Sequence, residues 1–357
     1  GSTEMLDPNA TNQENKYVWS EQSSGVGHFA KYAEQRVADS DTENLLIQLA
    51  METSAKTGKP IDQRAIDSVA QEIQQDIDAQ GVRRVYDSPS KGVLWGWEVP
   101  AYVWTKAIAT GTFLMMAVWH FLIGNLETTS EVTGLTIILV FMGLTGGLLI
   151  KDLDRPDRFL YVLLRPQWKS WLVRGAYIIT GFGGIVILKL LDNYFKLGLD
   201  WLMIPGMIFA IFGAIYTAFL FGQARSRDLW QSTGLAAVHM LVHAVMSGSV
   251  VLMVIAPETT NSMANILLWG IIANMVIMAK DILMSHDTPD KKKAIELMTK
   301  GYYSKYFWEG IIIGSVAPII LLNAYPSMTL IAGGFAIVGI FLTEFVRIRV
   351  PQMIPLS

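Results

Sequence analysis

From residue 99 onward the chain is divided into eight apolar stretches, each long enough, at about 20 residues, to cross a bilayer as a helix. They run over 99–123, 132–150, 172–191, 201–222, 235–256, 263–284, 308–324 and 327–346. Hydrocarbon offers no partner for backbone polar groups, so such stretches must satisfy their own hydrogen bonds, and the α-helix is the form that does so. The reading is an all-α, polytopic membrane protein with eight transmembrane helices. The last two stretches are separated only by Asn323-Ala-Tyr-Pro-Ser-Met328, which reads as a tight proline turn. Hydrophobic residues make up 52% of the 357, well above the share in a soluble domain of this size. Small residues inside the spans, Gly143, Gly146 and Gly147 and then Gly181, Gly183 and Gly184, are expected to let helices approach closely.

Charge divides the chain in two. Residues 1–90 hold 15 acids against 8 Lys and Arg, and the remainder holds 16 acids against 20 bases. Residues 1–92 read as a soluble acidic extension and 93–357 as the membrane domain. Within the extension, residues 1–42 are polar, and two helices are expected at 43–57 and from Asp62 to Gly81. Ile66, Val69, Ile73 and Ile77 form one stripe of the second helix, too narrow to build a core alone. No apolar run before residue 99 reads as a secretory signal.

The bases lie on alternate connections. One side carries Arg83, Arg84, Lys91, Lys151, Arg155, Arg158, Arg165, Lys169, Arg174, Arg225, Arg227, Lys280, Lys291, Lys292, Lys293, Lys300, Lys305, Arg347 and Arg349, and the other chiefly Lys196, with Lys189 near a helix end. The positive-inside rule predicts both ends in the cytoplasm, and the expected location is the bacterial inner (cytoplasmic) membrane. Membrane lipid is an expected partner and nucleic acid is not.

Polar residues gather at the depth of that basic side. Glu98, Tyr102 and Lys106 fall at i, i+4 and i+8, on one face of the first span. Asp152 closes the second, Arg174 and Tyr177 open the third, and Tyr216 and Gln223 finish the fourth. Lys106 stands about two turns inside the helix, where insertion costs roughly 2.5–3.5 kcal/mol unless a partner is found. Asp152 and Glu98 are the expected partners. The group reads as a polar pocket in which a cation, carboxylates and phenol hydroxyls meet apolar walls.

The chain has no cysteine, hence no thiolate ligand for an iron–sulfur cluster. Its five histidines are His28, His120, His239, His243 and His286. A bis-histidine haem needs ligands on facing helices, whereas His239 and His243 share one face at i, i+4, so no haem is expected. They are candidates for a proton route. No metal site is expected, because no acidic third ligand is evident near them in the sequence.

Asp152-Leu-Asp-Arg-Pro-Asp-Arg-Phe159, Leu163-Leu-Arg-Pro166 and Ser170-Trp-Leu-Val-Arg-Gly175, with the eight-span layout, resemble the NrfD/PsrC family, the polysulfide-reductase-type membrane subunits. The similarity covers about residues 93–346. It implies two four-helix bundles and a quinone-reactive subunit that docks a ferredoxin-like iron–sulfur subunit. A molybdopterin catalytic subunit or the components of alternative complex III would complete the assembly. The quinone, menaquinone or ubiquinone as diffusible substrate, would lie in the first bundle near the start of span one and the end of span four. Glu98, Tyr102, Asp152 and Tyr216 are the nearest positions. Under this resemblance Lys106, Asp152 and Glu98 are the expected catalytic groups, stabilising charge on a quinone oxygen and exchanging protons. Tyr102, Arg174, Tyr177, Tyr216 and Gln223 are the expected binding groups.

Two other classes compete. An ion-translocating, transporter-like protein would use Lys106, His239, His243, Asn274 and Lys280, and would show an internal repeat; the sequence shows no convincing one. A passive anchor would hold soluble subunits and leave the polar groups paired or facing lipid.

Overall fold

A computed structural model describes residues 95–153, 156, 159–224, 228–283 and 288–353. The acidic extension and its two expected helices, together with His28, His286, Arg155, Arg158, Arg225 and Arg227, lie outside the described residues. Trp95–Pro351 form one compact unit, with no strand among the described residues.

The eight spans are present close to the expected bounds. They are α1 (Glu98–Leu122), α2 (Thr128–Lys151), α4 (Trp171–Phe195), α5 (Met203–Gly222), α6 (Thr233–Ile255), α7 (Thr260–Leu283), the broken pair α9 (Ser304–Ile311) and α10 (Ala317–Ala324), and α11 (Thr329–Arg349). A π-turn at Ile312–Val316 joins α9 to α10. Pro318, in the first turn of α10, accounts for the break, since proline supplies no N–H to the ladder and its ring crowds the preceding turn. Asn323 to Met328 does form the tight proline turn between the last two spans, as a short 3-10 turn at Pro326–Met328.

Two further helices lie in the connections. α3 (Phe159–Leu164) sits between spans two and three. α8 (Pro289–Thr299) occupies a stretch that reads as a charged loop. Thr288 caps it, its hydroxyl accepting from Lys291 N at 3.3 Å, and Pro289 opens it. Its Ala294, Ile295, Leu297 and Met298 are buried, and so is Lys291 on the same side, while Lys292 is exposed on the other side of an amphipathic helix.

Packing reveals a repeat that composition hides. α1 touches α2 and α5, α4 touches α5, and α5 touches α6. Advanced by four spans, the same pattern holds: α6 touches α7 and α11, the α9–α10 pair touches α11, and α11 touches α1. The chain is thus two four-helix bundles, with α1 and α6 paired between them. Trp104 Nε1 donates to Ile337 O at 2.9 Å, and Ser130 Oγ to Ile255 O at 2.9 Å, so hydrogen bonds also cross between the halves.

The central pair owes its closeness to Gly111 and Gly248. A Cβ on Gly111 would lie 1.8 Å from Ala244 O, and one on Gly248 2.0 Å from Gly111 O, so any larger residue would force the backbones apart. These are not the glycines that the apolar pattern suggests. Gly143, Gly146, Gly147 and Gly184 have open space where a side chain would go, while Gly181 and Gly183 meet only side chains, Phe209 and Met142. The reason is position: the spanning window of α1 is 89% buried and that of α2 only 22%, so glycines on α2 largely face outward.

Candidate functional site

Two buried polar clusters lie toward the face at which α1 begins and α11 ends, here the near face. Each occupies one bundle.

The first is built on α1, α4 and α5. Tyr102, Lys106 and Tyr216 are all buried to 2% exposure or less. Lys106 does not pair with Asp152 or Glu98. Its Nζ donates to Ala214 O at 3.0 Å and to the Thr217 hydroxyl, and lies 4.4 Å from the centroid of the Tyr216 ring. Glu98 is eight residues earlier, about 12 Å along the helix axis, and is bound instead by Lys151 at 3.3 Å. Lysine reaches sideways to α5 because the C-terminal half of that helix offers a carbonyl and a hydroxyl at the same depth. Thr217 in turn touches Met240 Sδ on α6 at 3.2 Å. Asp152 caps the end of α2, partly buried, and lies with Tyr216 within electrostatic range of Tyr102.

Tyr216 is held flat by Gly175, the last residue of the Ser170–Gly175 motif. A Cβ on Gly175 would lie 2.2 Å from the ring carbon Cε2, so the motif requires glycine because the phenol occupies its side-chain space. The Tyr216 hydroxyl is buried and has no hydrogen-bond partner among the described residues.

Arg174, Tyr177 and Gln223 do not join this group. Arg174 Nε donates to Trp168 O at 2.7 Å while its guanidinium stacks over Trp171, and Tyr177 Oη donates to Leu163 O at 2.6 Å. Gln223 accepts from Trp171 N at 2.9 Å and donates to Lys169 O at 3.1 Å. All three are exposed and clasp the charged connector onto the ends of α4 and α5. Their placement near the site is real, but their polar atoms are spent on backbone groups.

The second cluster joins α6, α7 and α11. His239 Nε2 and His243 Nε2 both meet Asn274 Oδ1, at 2.6 and 3.0 Å. Their Nδ1 atoms lie 3.9 and 3.1 Å from Glu344 Oε1. The expectation that no acidic ligand stands near the histidine pair is therefore overturned. Glu344 arrives from α11, about a hundred positions along the chain, and only the fold brings it there. A glutamate inside an apolar span, in Phe341-Leu-Thr-Glu-Phe-Val346, was the available signal. Thr217 left no comparable mark.

A cavity of about 30 Å³ lies beside the second cluster, lined by His239, Glu344, Met240, Trp230 and Arg347 among others. That is room for about one water molecule. Arg347 is paired with Asp281 at 2.8 Å.

The opposite face of the first bundle carries a larger recess of about 310 Å³. Lys189, 2% exposed, is bound there by Asp200 at 2.9 Å, Asp192 at 3.2 Å and Glu131 at 3.5 Å, and His120 and Met116 also line it.

The two near-face clusters correspond. Tyr102 and Lys106 stand nine and five residues before Gly111; His239 and His243 stand nine and five before Gly248. Lys106 reaches α5, and His243 reaches α11, the equivalent span.

Residues 87–355 match the sequence model of the family described as Polysulphide reductase, NrfD. No curated protein sequence matches the chain.

Proposed function

Since the chain belongs to the NrfD family, whose members are membrane subunits of quinone-linked oxidoreductases that work with iron–sulfur and catalytic subunits, we propose that its first near-face cluster is a quinone-reactive site. The supporting observation is the buried, unpartnered hydroxyl of Tyr216 next to the buried ammonium of Lys106. A polar hydrogen with no acceptor costs about 1–3 kcal/mol when buried, and a quinone carbonyl oxygen is an acceptor of suitable size.

Geometry limits how the headgroup approaches. A ring inserted between Lys106 Nζ and the Tyr216 face would need about 7 Å, two contacts of about 3.5 Å, and 4.4 Å is available. The headgroup therefore comes to the hydroxyl edge of Tyr216, where Lys106 supports charge developing on the oxygen. Reduction to the quinol takes up two electrons and two protons. The electrons come from the partner's iron–sulfur cluster, this chain having no cysteine to hold one. Tyr102 and Asp152, with Glu98 at the rim, lie between the cluster and near-face water and pass the protons.

The basic connections, including the exposed clasp around Arg174, support a reading in which the near face lies in the bacterial cytoplasm and receives the iron–sulfur subunit. Catalytic partners of the molybdopterin or alternative-complex-III type complete the assembly.

The test is quinone-dependent turnover of the purified complex with menaquinone and ubiquinone analogues. Tyr216→Phe and Lys106→Met are expected to lower it with subunit retention intact. Wild-type rates in both variants would overturn the reading and leave the chain as an anchor.

A further inference from the structure

The second cluster has a chemistry that the quinone reading does not use. Both imidazoles turn Nε2 to the single oxygen of Asn274, which accepts two N–H donors with its two lone pairs. Each ring then presents a bare Nδ1 to Glu344. Two nitrogen lone pairs and a carboxylate oxygen, all buried, face one point, and the Nδ1 of His243, 3.1 Å from Glu344 Oε1, has no other polar partner among the described residues. Three electron-rich atoms repel one another unless a cation lies among them.

We propose that His239, His243 and Glu344 bind a divalent first-row transition-metal ion. The three ligand atoms lie within 4.8 Å of one another. Bonds of about 2.0–2.1 Å in a tetrahedral site place ligand atoms about 3.4 Å apart, and the Nδ1–Oε1 separations of 3.9 and 3.1 Å bracket that spacing. Two imidazoles and one carboxylate suit zinc or ferrous iron. Asn274 supplies what metal-binding histidines ordinarily have, an acceptor for the second ring N–H that fixes tautomer and orientation.

The surroundings agree. The 30 Å³ cavity reaches both His239 and Glu344 and has space for a water or hydroxide as fourth ligand. Arg347, at its edge, is paired with Asp281 at 2.8 Å, and it and Lys106 act on Glu344 only from longer range. The ion ties α6 to α11, and with Asn274 to α7, so it fastens the second bundle at the depth where Lys106 joins α1 to α5. A fixed metal there replaces the proton route expected at the two histidines.

A competing arrangement exists. With the Asn274 amide reversed, its NH2 donates to both Nε2 atoms and both Nδ1–H groups face Glu344, a closed network that binds no metal.

The experiment uses the full chain purified in its complex, with metal content measured by mass spectrometry. Stoichiometric zinc or iron is expected, lost in Glu344→Gln and His243→Gln but retained in Lys106→Met. Chelated protein titrated with Co²⁺ is expected to show saturable visible bands of four-coordinate cobalt, abolished by Glu344→Gln. Because ligand variants can misfold, Asn274→Asp separates the two arrangements: a carboxylate only accepts, so cobalt binding is kept or strengthened under the metal reading. Substoichiometric metal with no cobalt bands, or loss of cobalt binding in Asn274→Asp, overturns the proposal.

Discussion

The two near-face clusters occupy equivalent depths in two bundles that pack alike, yet they carry opposite chemistry. In the first, a lysine is bound by neutral acceptors, Ala214 O and the Thr217 hydroxyl, beside an unpartnered phenol. In the second, a glutamate faces two imidazoles backed by an amide. What differs is the residue at five and nine positions before the crossing glycine: Lys106 and Tyr102 in one half, His243 and His239 in the other. The scaffold fixes where a polar group can be buried, and the side chain at that place decides whether the pocket attracts electron-rich or electron-poor ligands.

The hardest blow to this comparison falls on the crossing itself. Gly111→Ile places a branched side chain where even a Cβ meets backbone at 1.8 Å, so extraction in detergent is expected to yield no monodisperse protein by size-exclusion chromatography. Folded, assembled Gly111→Ile would mean that the halves are not registered through this contact. Next comes Lys106→Met, expected to lower quinone-dependent kcat by about 10²–10³-fold, the loss seen when one charge-stabilising donor is removed, while metal content stays unchanged. Equal loss of both would show that the clusters act as one site.

Tyr216→Phe separates binding from folding. Turnover should fall about tenfold, one hydrogen bond's worth of about 1.4 kcal/mol, while thermal stability in detergent holds or rises because a buried orphan hydroxyl disappears. A marked drop in melting temperature instead would assign the phenol to packing. The smallest effect is reserved for Gly143→Ala on the outward side of α2, where nothing lies within 4 Å of the added methyl. Helix propensity alone predicts a change of less than about 1 kcal/mol, in the stabilising direction, and normal turnover.

Hydropathy made the spans legible to within a few residues, because length and polarity in hydrocarbon leave little choice of structure. The motif around Asp152 and Gly175 and the buried positions of Lys106, Tyr102 and Tyr216 were also readable, since polar residues at helical spacing in an apolar run are conspicuous. Their partners were not. Lys106 found a carbonyl and a threonine rather than a carboxylate, and a backbone acceptor carries no side-chain signature. Glu344 was visible as an isolated acid, but its meeting with His243 depends on α11 packing against α6, a long-range contact. Gly111 and Gly248 looked no different from Gly143; burial, which sequence spacing does not give, distinguishes them. The repeat escaped notice for the same reason, since it lies in helix neighbours and depth rather than in residue identity.

The recess around Lys189 alters the electrical thickness of the first bundle. Its inner wall includes Met116, ten residues and about 15 Å along α1 from Lys106. A membrane voltage then drops over the stretch between the recess and the near-face rim, so a proton travelling between the recess and the lysine's level would sense about half of the roughly 2.3 kcal/mol that 100 mV imposes on a unit charge. Any charge movement along this axis is thereby poised to feel the cell's energised state.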